Sequence, residues 1–326
     1  MNPRVISEYF HKRGALLIAG VLLVVTTIIA WNRGAVSDIP DNRGLALPSA
    51  NLWLERGEVS MWLNLALTIA AAAAIAMLNR SYNVMRSMTL LWSTALLLFQ
   101  IATPMFTGQF YGGTLMCLVM LAVIALMYSM YMSNKPQRRV LLIFAILSTA
   151  AMCQYAFMFL IPVAMVGIIQ MRVFSLRTFL AAGIGIVTPP WILFGTGLVS
   201  LDAVHWPRFV SLFSVLDRPE LIQTFCSVAL TIVCGILFLS ANIMKMLSYN
   251  ARFRAYNGFL SVLMIAAMLL TVADWENFAV YVPLLNMTVA FQIAMFFSNN
   301  RKRHSYISLL IITISIISLY IWAMLI

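Results

Sequence analysis

Between Gln137-Arg138-Arg139 and Arg172 lie 32 residues, 140–171, without one charge. As a single straight helix they would run about 48 Å, against about 30 Å of bilayer hydrocarbon. One crossing would also place the two arginine borders on opposite sides of a membrane, against the bias of Lys and Arg toward the cytoplasm. A hairpin resolves both conflicts: residues 140–152 rise, Cys153-Gln154-Tyr155 turns, and residues 156–171 return. Each arm is then about 20–25 Å long, so the pair forms either two thin spans or a re-entrant loop. That turn sets the side on which every later helix emerges.

The remaining chain has the same character. Only 10% of its 326 residues are charged, against about 25% in soluble globular domains, and 63% are hydrophobic, with a mean hydropathy of +0.94. Backbone in lipid must satisfy its own hydrogen bonds, and these apolar runs lack the period-2 alternation of outer-membrane strands. The expected fold is therefore an all-α polytopic transmembrane bundle, one integral membrane domain over residues 1–326. Besides the hairpin, spans are expected at 15–31, 61–78, 87–101, 111–132, 179–194, 222–242, 259–272, 278–297 and from Tyr306 onward. That makes about eleven spans, with the N-terminus inside and the C-terminus outside. Outer loops fall at 32–60 and 198–221, the first carrying a short amphipathic helix with Leu52, Trp53 and Leu54 toward lipid. Pro189-Pro190 is expected to bend or fray its span. Lys245, Arg252 and Arg254 fall on an inner connector.

The charges support this threading. Sixteen of the 21 Lys and Arg lie inside, leaving Arg33, Arg43, Arg56, Arg208 and Arg218 outside, while only Glu8 of the ten acids is inside. The net charge of +11 is thus a positive-inside signature, and no nucleic-acid partner is implied. The expected partners are the bilayer itself, anionic lipid heads met by Arg301-Lys302-Arg303-His304, and envelope proteins. Cys117, Cys153, Cys226 and Cys234 have no metal-ligand spacing, so no metal site is expected.

No Asp, Glu, Lys or Arg falls in the middle of a span, where ion-coupled carriers keep ionisable groups. Acids gather on the outer side: Asp38 with Asp41, Glu55 with Glu58, Asp202, Asp217 with Glu220, and Asp274 with Glu276. Such carboxylates suit a general base or a hard-cation site, yet the positive-inside bias alone also places acids there. Gln154 and Tyr155 at the hairpin tip need hydrogen-bond partners, from neighbouring helices or from a watery cleft. Gln100, Gln109 and Tyr111 belong to the same outer level and are candidates to line that cleft with them.

Two stretches carry a resemblance. Gly108-Gln109-Phe110-Tyr111-Gly112-Gly113 precedes a span, and Met171-Arg172-Val173-Phe174 leads through Arg177 and Gly183-Ile184-Gly185 to Pro189-Pro190. Together they resemble an uncharacterised family of bacterial multi-pass inner-membrane proteins, which implies a cytoplasmic-membrane setting and no particular activity. The layout is also similar to polytopic glycosyltransferases that use lipid-linked sugars. That likeness implies Asp38 or Asp41 as catalytic base and a divalent cation only if such chemistry operates, with no other cofactor; Glu55 and Glu58 join Gln154, Tyr155, Gln100, Gln109 and Tyr111 as candidates to line the cleft. Three classes follow: an envelope structural or assembly component, a transferase on a lipid-linked donor at the outer face, and an uncoupled transporter or lipid-handling protein.

Overall fold

The computed structural model describes residues 13–34, 44–85, 87–200, 202, 204, 219–246, 249–300 and 305–325. Among them all regular structure is helical. Eleven α-helices follow one another: α1 (Arg13–Asn32), α2 (Glu58–Tyr82), α3 (Leu91–Ile101), α4 (Gly112–Ser129), α5 (Gln137–Cys153), α6 (Leu160–Gln170), α7 (Leu176–Gly195), α8 (Pro219–Met246), α9 (Ala251–Ala273), α10 (Phe278–Asn299) and α11 (Ser305–Leu325). Eight are long and apolar enough to cross a bilayer; α3, α5 and α6, with 11, 17 and 11 residues, are shorter.

The burial pattern is that of a lipid-solvated protein. Large apolar side chains point outward along α1, α7, α8 and α11, among them Leu17, Trp191, Met244 and Leu325. Asn64, Gln154, Asn286 and Gln292 are buried. In lipid there is little to gain by hiding a leucine and much to lose by exposing an amide, so the usual sorting inverts. The centre is α10. Every one of its residues from Phe278 to Met295 is buried, and α3, α4, α8 and α9 pack around it.

The hairpin forms at the expected place. Helix α5 ends at Cys153, Gln154 is extended, and a 3-10 turn (Tyr155–Phe159) feeds α6. The open ends of the hairpin both meet the segment that follows α4: the Met132 amide donates to Met171 O at 3.2 Å, and Arg139 Nη1 donates to Ser129 O at 2.7 Å. Both arginine borders therefore lie at one end of the bundle, termed here the basic end. Tyr82, Tyr128, Tyr131 and Tyr256 form a ring cluster at this end, with Tyr128 stacked on Tyr256 at 4.0 Å.

Three local expectations are corrected. Helix α7 neither frays nor stops at its two prolines but runs on to Gly195. Proline at 190 withholds an N–H from the carbonyl of Ile186, and Ser148 Oγ of α5 supplies the missing donor at 2.7 Å. The connector around Arg252 and Arg254 is instead the first turn of α9. Arg252 lies over the Tyr256 ring and donates to its hydroxyl at 2.9 Å, which lets a charged residue extend the helix. The amphipathic surface helix is only a 3-10 turn (Ala50–Leu52), with Leu52 and Trp53 exposed and the Trp53 ring stacked on Phe110.

Candidate functional site

At the end opposite the arginines, four chain segments meet over the hairpin tip. The first is the part of the outer loop that carries Gly44. Its Ala46 and Leu47 amides both donate to Met152 O, at 3.2 and 3.0 Å, satisfying a carbonyl that the end of α5 leaves free. A side chain at Gly44 would strike the carbonyls of Leu47, Met152 and Cys153, so glycine is what allows this contact. The same loop delivers Ser49, whose hydroxyl donates to Gln154 Oε1 at 3.1 Å.

The second segment is the start of α4. Gly112 lies directly against the Gln154 amide: a Cβ there would come within 2.9 Å of Oε1. The Gly112 amide donates to Asn51 Oδ1 at 2.8 Å. Gly113 is equally confined, between the Tyr111 ring and Ala279 O. The glycine pair of the 108–113 motif thus exists to let α4 approach both the hairpin and α10.

The third and fourth segments are the α9–α10 turn and the first helical turns of α10. Asp274 is 1% exposed. Its carboxylate accepts from Tyr155 at 3.3 Å, from Tyr281 at 2.9 Å, and from Asn277 Nδ2 at 3.3 and 3.1 Å. Gln154 Nε2 reaches Asn277 Oδ1 at 3.5 Å, which links the serine–glutamine pair to the carboxylate cluster. Burial pushes the Asp274 carboxyl above the usual carboxylate range, and the donors Tyr281, Asn277 and Tyr155 pull it part of the way back.

A second polar centre lies beside this one. Asn64 of α2 donates to the carbonyls of Phe106 and Thr107, at 3.2 and 3.0 Å, and accepts from Thr114 Oγ1. Together with Gln100, Tyr111 and Thr114 it lines a void of about 10 Å³, the scale of one water molecule.

The residues anticipated from sequence therefore divide. Gln154 and Tyr155 share one cluster, while Gln100 and Tyr111 share the neighbouring void. Gln109 is buried, and Glu55 and Glu58 are exposed and touch neither centre. Asp38 and Asp41 lie outside the described residues. Ser49, Asn277 and Tyr281 carry much of the cluster and have no sequence signature. Their partners lie 105, 123 and 7 positions away, and only the shared turn Asp274–Asn277 hints at a polar knot. Among the described residues no group of three or more His, Cys, Asp or Glu is placed to hold a metal.

The fold and this site define an all-α, multi-pass membrane protein whose polar residues are turned inward. No protein-family model, no curated protein and no solved structure matches the chain.

Proposed function

We propose that this chain is a structural or assembly component of a bacterial cytoplasmic membrane, with the basic end in the cytosol and the hairpin tip outside. The observation that carries the reading is the occupant of the bundle axis. A channel or carrier keeps a hydrated path near its centre, lined by residues that can release and rebind a solute. Here a complete helix, α10, fills that position and is buried along almost its whole length. Polar groups at the tip end are hydrogen-bonded to one another, an arrangement suited to rigidity more than to turnover. The resemblance to uncharacterised inner-membrane proteins fits this assignment. Lipid heads at the basic end and envelope proteins are its partners, and no cofactor belongs to it.

The test is native electrophoresis of gently solubilised membranes together with flux assays on proteoliposomes. We expect the chain to migrate in a defined larger complex, whose other subunits lose their assembly when it is deleted, and the liposomes to remain tight. Solute or ion flux through the purified chain would overturn the reading, as would intact complexes in its absence.

One observation favours lipid handling as a second reading. A groove of about 490 Å³ between α8 and α9 is lined by Ile236, Leu239, Ile243, Met268 and Leu269 among others, with volume for one acyl chain. Native mass spectrometry would show a retained phospholipid that Leu269→Trp displaces; identical lipid content in both proteins would remove this reading.

A further inference from the structure

Of the acids whose side chains are described, Glu55, Glu58 and Asp202 are exposed and Asp274 alone is buried. Among the described residues, three side chains donate hydrogen bonds to it. Tyr155 faces it from the hairpin, Asn277 from the connecting turn and Tyr281 from α10; the two phenols are the titratable ones. One layer out stand Gln154 and Ser49, both uncharged. No Lys, Arg or His among the described residues is paired with it.

A buried carboxylate without a counter-ion is costly, and it becomes neutral by taking up either a metal cation or a proton. A metal would need the lone pairs of the surrounding oxygens. Here the two hydroxyls and the Asn277 nitrogen all point their hydrogens at the carboxylate, and the Asn277 carbonyl oxygen is turned away toward Gln154. That arrangement leaves no neighbouring oxygen lone pair turned toward a metal, and among the described residues it offers the buried ionised form neutral donors only, so a proton is the cation that neutralises it.

We propose that Asp274 is a proton-binding site that sets the strength of the tie between the hairpin tip and the α9–α10 turn. In the ionised state both carboxylate oxygens accept, and the tie to Tyr155 is complete. On protonation an O–H bond forms on one oxygen, with the proton drawn from solvent at the tip end, and that oxygen becomes a donor. One neighbour must then turn from donating to accepting. Tyr155 makes a long contact, 3.3 Å, without the second, shorter bond that Asn277 has, and its hydroxyl can turn to accept where the Asn277 amide nitrogen cannot, so it is the contact that yields. Acid therefore loosens the tip and base tightens it. This site goes beyond the assembly reading and does not depend on it. Burial raises this carboxyl, so the transition is expected at a higher pH than for a free aspartate.

The experiment is an infrared titration of the full-length protein in lipid nanodiscs, following the C=O stretch of protonated carboxyl groups, alongside amide hydrogen exchange across residues 153–160. The wild type is expected to show a carboxyl band titrating above the ordinary aspartate range, absent from Asp274→Asn, with faster exchange at the tip while the band is present. Tyr281→Phe removes the closest donor and is expected to raise the midpoint further. A band that Asp274→Asn leaves unchanged, or no titrating band at all, overturns the proposal. So does a midpoint that moves with sodium, magnesium or calcium at constant ionic strength, which would assign the site to a metal cation. Should Asp274→Asn fail to fold, Tyr281→Phe decides alone: a midpoint that stays or falls rejects the site.

Discussion

Two glycines on α7, two residues apart, give the sharpest test of how closely the hairpin is held. At Gly183 a Cβ would meet nothing within 4 Å. At Gly185 it would lie 2.6 Å from Leu141 O, 3.0 Å from Phe144 Cβ and 3.2 Å from Ala145 N. The nearest of these atoms is backbone and has no rotamer by which to swing aside. Alanine gains about 1 kcal/mol over glycine in a helix interior, so Gly183→Ala is expected to stabilise by up to about that much. Gly185→Ala receives the same gain but incurs overpacking of about 1–3 kcal/mol. The two variants should then differ by about 1–3 kcal/mol, or about 5- to 150-fold in the unfolding equilibrium. Unfolding in mixed micelles of rising SDS fraction, followed by circular dichroism, measures that gap directly. If Gly185→Ala proves as stable as Gly183→Ala, α5 and α7 are not in backbone contact and the close pairing described above is wrong.

Other outcomes follow from the same structure. Asn64→Ala strips one acceptor and two donors from a buried site and leaves Phe106 O and Thr107 O without their partner, so a loss of about 2–4 kcal/mol is expected in the same micelle assay. Because the folded-state carboxyl of Asp274 is raised, its contribution to stability falls as pH climbs from the unfolded-state value through the folded one. Asp274→Asn should therefore gain thermal stability relative to wild type toward neutral pH and converge with it in strong acid, as melting curves across pH would show. A membrane-impermeant maleimide is expected to modify the half-buried Cys153 and Cys226, near the tip end, and to spare the buried Cys117 and Cys234, a pattern read by peptide mapping. A reporter enzyme fused after Arg177 should be active only in the cytosol, and one fused after Gly197 only outside.

The hairpin was legible because two independent constraints act on it. An uncharged run too long for one thickness of bilayer and arginines that prefer one side both require a fold-back. The turn lands on Gln154 because that residue and its neighbours put the most polar side chains near the middle of the run. The helical, apolar character of the chain was legible for a related reason, since charges mark helix ends and apolar length does the rest, though eight of the eleven described helices, not all, are long and apolar enough to cross. What periodicity could not supply was every contact between spans. Pro189-Pro190 reads as a place where the span bends or frays, because the hydroxyl that caps the freed Ile186 carbonyl sits 38 positions before that carbonyl, on Ser148. Arg252 reads as a connector because its charge outweighs a tyrosine four residues on.

The candidate site was legible in the same uneven way. A glutamine and a tyrosine at a buried tip announce that partners must exist, since an orphaned amide in lipid is too costly to keep. They do not announce which partners. Asp274 looks from sequence like one more member of an outer acidic set, no different from Glu55 or Asp202, because exposure is a property of packing and leaves no trace in spacing. The structure separates them by one criterion: among the acids whose side chains are described, Asp274 alone is enclosed, and it is enclosed in part by hairpin residues that needed partners. The demand from the tip and the demand from the carboxylate are met by the same few hydrogen bonds. A substitution at either side should therefore be felt at the other, and the stability change of Tyr155→Phe combined with Asp274→Asn should differ from the sum of the two single changes. Strict additivity in that double-mutant cycle would mean that the hairpin tip and the α9–α10 turn are held independently, and that the carboxylate has no hold on the fold-back.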